Sequence, residues 1–169
     1  LRRLGGMDMK SYQHADLILP RLWLGNKRSS TDPDFLTGAG ITTVFNCTKD
    51  LPFSPLIKRK YRVPVDDNLQ PAEIKNMADW SPEIVYKVIN EYKNGSVILI
   101  HCYAGMQRSA AVMAMSIIAL SGHRTSDIIP YIRSQREVAF FPEANFLQSI
   151  LEFEKYYFLA RNDHGDRHN

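Results

Sequence analysis

The chain has 169 residues, enough for one domain with a substantial core. Its 21 basic and 18 acidic residues leave a net charge of +3, which suits an anionic substrate but is far too small to argue for a nucleic-acid partner. The two cysteines, Cys47 and Cys102, make neither a disulfide framework nor a Cys-x-x-Cys zinc pattern, and no apolar run is long enough for a membrane span or a signal-peptide core.

In chain order, residues 1–13 are polar and contain glycine, and read as a flexible N-terminal segment. Ala15 to Asn26 carries two short apolar runs around Pro20-Arg21, which predicts an edge strand, a turn and a second strand, with Trp23 as a core residue. Thr31-Asp32-Pro33 starts a short helix that ends near Gly38-Ala39-Gly40. Ile41 to Phe45 is β-branched and aromatic, hence a strand, with Cys47 just beyond its end. Lys49 to Lys60 reads as a surface loop, and Tyr61 to Val65 as a further strand. Asp66 to Pro71 is turn-rich, and its two acids are compatible with a solvated turn or with a general acid. Pro71 to Asp79 and Trp80 to Tyr92 read as helical, with Ile84, Val85, Val88, Ile89 and Tyr92 on one stripe.

Val97 to Ile100 is almost wholly aliphatic and reads as a strand buried on both faces. Ser109 to Leu120 reads as a buried helix that Ser121-Gly122 ends. The loop between them, from His101 to Arg108, lies at a helix N-terminus, where free backbone N–H groups and the helix dipole favour an anion. A thiol there, Cys102, is expected to ionise more readily than a free one and to act as a nucleophile. Gly105 lets the loop curl, Arg108 offers a planar fork to two oxygens, Ser109 sets a hydroxyl near the sulfur, and His101 orients the loop. This much positive charge needs no metal and no cofactor. Thr125-Ser126-Asp127 then caps a helix to about Arg136. Pro142-Glu143 opens a last helix to about Ala160, and residues 161–169 read as a flexible tail.

Strands alternating with helices define an α/β fold, a single domain with a mostly parallel central sheet flanked by helices, over residues 14–160. Histidine and cysteine at 101 and 102, five further residues, then Arg108-Ser109, resemble the phosphate-binding loop of cysteine-dependent protein tyrosine phosphatases, in particular the dual-specificity branch. The stretch "ILPRLWLGN" and the loop "PVDDN" resemble other parts of the same domain.

That resemblance implies a phosphatase-like fold and a protein phosphatase that hydrolyses phosphotyrosine and phosphoserine/threonine through a phosphocysteine. It implies Cys102 as nucleophile, Asp67 rather than Asp66 as general acid, and Tyr103, Ala104, Gly105, Met106, Gln107 and Arg108 around the phosphate. Arg136 falls where relatives carry an arginine, which implies a phosphate contact, although a cation near a helix end also complements the dipole. Cys47 becomes a candidate "backdoor" thiol that protects Cys102 from oxidation; the plainer reading is a small buried hydrophobe. Two positions depart from the pattern: Gln107 replaces a common Ser, and Glu143 replaces an Asn whose supporting bond Asn145 is a candidate to supply. The partners expected are phosphorylated proteins, in a reducing cytoplasmic or nuclear compartment, with no nucleic acid and no membrane. Rival readings are an RNA 5′-phosphatase, a phosphoinositide phosphatase, and a non-catalytic phosphoprotein-binding module on the same fold.

Overall fold

The computed structural model describes residues 13–168, with side chains through residue 162. The flexible segment expected over residues 1–13 therefore lies, but for Gln13, outside the described residues. An antiparallel pair comes first, β1 (Ala15–Leu19) and β2 (Leu22–Gly25). Then follow α1 (Lys27–Thr31), α2 (Pro33–Ala39), β3 (Thr43–Asn46), β4 (Arg59–Arg62), α3 (Pro71–Lys93), β5 (Ile98–His101), α4 (Arg108–Ser121), α5 (Thr125–Gln135) and α6 (Leu147–His168). The strands form one five-stranded sheet in the order β1-β2-β5-β3-β4, parallel except for β1. This is the expected α/β architecture, with helices around a mostly parallel sheet.

The aliphatic run of β5 takes the middle of the sheet because both of its faces are covered. Ile98 and Ile100 point into the larger core with Phe45 and Leu24, and Leu99 points into the smaller core with Val44 and Leu36. Trp23 packs on that smaller core, its ring edge-on to Phe35. On the other face, α4 is apolar all round and buried from Arg108 through Ile118. A helix with that composition has to lie inside the domain, and it packs between β5 and the helices α3, α5 and α6. Gly122 ends it in the left-handed conformation, its N–H bonded to Ile118 O.

Several boundaries differ from expectation for local reasons. The strand expected over Tyr61 to Val65 lies at Arg59–Arg62, paired to Thr43–Asn46; Val63 adds one more bond to Asn46 O, and Pro64 has no N–H to continue. The third strand begins at Thr43 because Ile41 N is committed to Leu36 O at the end of α2. α1 was not foreseen: it has no apolar stripe, and its signal is Asn26, whose side chain accepts from Ser29 N. α3 runs unbroken through Pro82. The proline cannot donate to Ala78 O, and Ser81 Oγ takes that carbonyl at 2.7 Å. The cap of α5 is Arg124 rather than the threonine cluster, and Thr125 N donates to Glu154 Oε1 of α6. α6 begins at Leu147, after a turn containing the cis peptide Phe141-Pro142, and extends to His168.

The edge strand β4 is tied down by one carboxylate. Glu91 of α3, almost fully buried, accepts Arg59 Nε at 2.7 and 3.0 Å, Ser96 Oγ at 2.6 Å and the Tyr61 hydroxyl. The Arg59 bonds outweigh burial and hold its pKa down at about 2. We expect Glu91→Ala to lose about 2–3 kcal/mol in chemical denaturation, since three donors lose a buried acceptor. Because the folded pKa lies below the unfolded one, this contribution is complete above the ordinary carboxylate range and disappears as pH falls toward 2. The difference between wild type and variant should narrow over that window.

Candidate active site

Where β5 stops, Cys102 begins a loop that runs to the first residue of α4. The thiol is buried, and its Sγ lies 3.1 Å from Ser109 Oγ. Burial alone would push its pKa up. The Ser109 hydroxyl and N–H, the Arg108 guanidinium and the Gly105 N–H together outweigh burial, so the thiol ionises below its ordinary value. Gly105 sits at φ +69, and a Cβ there would come within 2.5 Å of Gly25 O and 2.8 Å of Arg136 Nη2, so no side chain fits. The Tyr103 carbonyl accepts the Lys27 N–H at the start of α1, and the Tyr103 hydroxyl bonds both Asp50 oxygens at 2.8 Å.

Arg108 is 7% exposed. Its Nη1 donates to Val65 O at 3.0 Å, which aims the guanidinium, while its Nε–H is buried with no partner among the described residues. Asp67, Cys102 and Arg108 line one cavity of about 330 Å³, with Tyr103 and Phe141 at its sides. The neighbouring acid is turned elsewhere: Asp66 pairs with Lys49 at 3.1 Å, and its N–H donates to Glu73. Asp67 Oδ1 accepts from Asn145 Nδ2 at 3.0 Å.

Ala104, Met106 and Gln107 also line this cavity. His101 lies under the loop, fully buried, with Nδ1 3.3 Å from Cys102 O; burial brings its pKa down to about 4, so the ring is neutral at pH 7. Arg136 is not in the cavity. Its Nε and Nη2 donate to the carbonyls of Gly105 and Ala104, and its Nη1 to Gln13 O and Asp16 Oδ2 at 2.8 Å. The phosphate contact expected of it is therefore corrected: it grips the loop from behind. Cys47 lies beside the site, because β3 pairs with β5 and Cys47 N donates to His101 O. Burial and the charge of Cys102 push its thiol well above the ordinary value.

Gln107, foreseen only as a departure from the family pattern, bonds the turn that carries Asn145, through Phe141 O, Glu143 O and Asn145 N. Asp50 and the Val65 carbonyl carried no sequence signal, since neither is polar chemistry at motif spacing. Among the described residues no three His, Cys, Asp or Glu side chains gather as a metal site, and no helix is long and apolar enough to cross a membrane.

A strand–loop–helix that holds a thiol below its ordinary pKa beside a buried arginine frames the site, and comparison with known proteins gives the family. The description "Dual specificity phosphatase, catalytic domain" matches residues 22–156. The chain belongs to that family. Human dual specificity protein phosphatase 8 is 28% identical over 151 residues, covering 88% of this chain and 23% of that protein. Human dual specificity protein phosphatase 6 is 31% identical over 144 residues, covering 82% of this chain and 36% of that protein. The chain thus spans about a quarter to a third of the length of these relatives. The crystal structure of human DUSP28 shares the fold, with a TM-score of 0.75 at 23% identity, over 85% of this chain and 95% of that one.

Ser109 supplies the largest effect that lowers the Cys102 pKa. We expect Ser109→Ala to raise that pKa. The acidic limb of the kcat/KM profile, where thiolate forms as pH rises, should then move to higher pH. An unmoved limb would remove Ser109 from the thiolate's support.

Proposed function

We propose that this chain is a cysteine-dependent phosphomonoesterase that hydrolyses phosphotyrosine and phosphoserine/threonine in proteins. The observation that carries the reading is the meeting, in one cavity, of a thiol held below its ordinary pKa and a buried guanidinium whose Nε–H is unpartnered. An oxyanion of substrate is the natural acceptor for that N–H, and the phosphate's three non-bridging oxygens suit the loop N–H groups of Tyr103 to Arg108.

The Cys102 thiolate attacks phosphorus, forming an S–P bond as the P–O bond to the leaving group breaks. Asp67 gives its proton to the departing oxygen. As a carboxylate it then takes a proton from water, which attacks phosphorus, breaks the S–P bond and frees inorganic phosphate and the thiolate. Ser109 Oγ–H donates to the sulfur as it departs. Arg108 and the loop amides meet the charge of both transition states. His101, neutral, supports the loop through Cys102 O. A thiolate mechanism suits a reducing compartment, cytoplasmic or nuclear.

Cys102→Ser should abolish turnover while still binding inorganic phosphate. Asp67→Asn should slow phosphotyrosine peptides by about 10²-fold or more and activated aryl phosphates much less. The panel should include phosphothreonine peptides, phosphoinositides and triphosphorylated RNA. Preference for either of the last two, or appreciable turnover by Cys102→Ser, would overturn the reading.

Cys47 extends the same proposal. Peroxide converts the Cys102 thiolate to a sulfenic acid with loss of hydroxide; the Cys47 thiol then attacks that sulfur, water leaves, and a disulfide forms that an added thiol reduces. Adjacent strand ends support it, and once the Cys102 charge is gone the repulsion on Cys47 goes too. After mild peroxide and then reductant, wild type should recover activity and Cys47→Ser should not. Equal recovery, with no bridge by mass spectrometry, would leave Cys47 as a packing residue.

A further inference from the structure

The geometry points to Asn145 as a positioning residue for the proton donor, held in place by Gln107; this inference rests on the phosphatase reading above, with Asp67 as the acid. Gln107 stands at the N-terminus of α4, 6% exposed, on the same loop as Cys102 and Arg108. Its Nε2 donates to Phe141 O at 3.1 Å and Glu143 O at 2.8 Å, and its Oε1 accepts Asn145 N at 2.9 Å. Three bonds from one amide fix the backbone of a turn that has no regular structure. Phe140 N adds a bond to Met106 O at 2.7 Å. The turn is thereby docked on the nucleophile's own loop.

From that turn Asn145 reaches across the cavity to Asp67. The loop carrying Asp67 is irregular from Asp66 to Gln70, and Asn145 makes the hydrogen bond found on the Asp67 carboxyl among the described residues. A carboxyl at such a position needs a fixed orientation to deliver a proton, because small misplacements cost large factors in rate. An amide N–H can only donate. Asn145 therefore engages Oδ1 as an acceptor whether Asp67 is protonated or not, and leaves Oδ2 to carry the proton toward the leaving oxygen. The two departures from the family pattern then form one device: the long Gln107 side chain secures the turn, and Asn145, two residues past Glu143, holds the acid.

The test is a leaving-group series on the whole chain, from activated aryl phosphates, which depart without a proton, to phenyl and phosphotyrosine substrates, which need one. Asn145→Ala should lose about tenfold in kcat/KM on the latter and less than about threefold on the former. Gln107→Ala should lose in the same pattern. Inhibition by inorganic phosphate reports the loop itself and should stay within about twofold for Asn145→Ala, since that change leaves Arg108 and the loop amides intact. Asp67→Asn combined with Asn145→Ala should be no slower than Asp67→Asn alone, because the partner acts only through the acid. Equal losses at both ends of the series, or additive losses in the double variant, would overturn the positioning role. A flat series for Asp67→Asn alone would instead overturn the acid assignment, and this inference with it.

Discussion

The contact on which the site depends is made by a side chain that faces away from it. Arg136 is almost wholly buried and donates to the carbonyls of Ala104 and Gly105. In a trans peptide the C=O and N–H point in opposite directions, so carbonyls drawn back to Arg136 turn the following N–H groups the other way. That is the orientation in which the Gly105 N–H lowers the Cys102 pKa. Without a donor behind it, the buried Gly105 carbonyl would favour any backbone that recovered a partner. The charge that Arg136 brings inside is matched by Asp16 on the first strand, so the N-terminal edge of the sheet and the Cys102 loop are held by one guanidinium.

Two thiols on adjacent strand ends show how finely this environment discriminates. Both are buried, and burial alone pushes each pKa up. Cys102 has a hydroxyl, two backbone N–H groups and a guanidinium to meet a negative sulfur. Cys47 has the carbonyl of Phe45 at 4.0 Å, which can only accept, and feels the negative charge of its neighbour. The same residue type is therefore pushed in opposite directions on adjacent strand ends, its pKa lowered at Cys102 and raised at Cys47. His101, between them in chain and space, is kept neutral by burial and adds no competing positive charge.

The sequence exposed what is contiguous. His101 to Ser109 lies in one stretch, so its strand, loop and helix could be read from residue order, and β5 and α4 meet at those positions. The Asp67 loop was readable through the resemblance of PVDDN to the acid loop of the family, even though the strand before it begins two residues earlier than expected. What stayed hidden depends on partners distant in sequence. Arg136 near a helix end has an adequate local explanation in the dipole, and only the fold brings it to Gly105 and Asp16. α1 has a cap but no apolar stripe, so periodicity passes over it. The reach of Asn145 to Asp67 spans 78 positions and depends on a turn secured by Gln107. Sequence could mark both positions as unusual but could not pair them.

The close approach of Gly105 to Gly25 has a consequence for how such a chain can change over time. A Cβ at 105 would strike the Gly25 carbonyl, and one at 25 would strike Ser29 Oγ at 2.3 Å. The end of β2 and the Cys102 loop therefore touch backbone to backbone, with no side chain between them to shrink or swell. Most contacts in a protein can drift by paired substitutions, a larger residue on one side offset by a smaller one on the other. This one has no such freedom, because both partners are already at the minimum. The cavity wall carries side chains at Tyr103, Met106 and Phe141 that can change in size, while the backbone contact between β2 and the Cys102 loop cannot. Side chains that can change in size and a backbone contact that cannot thus belong to the same loop, from Cys102 to Arg108.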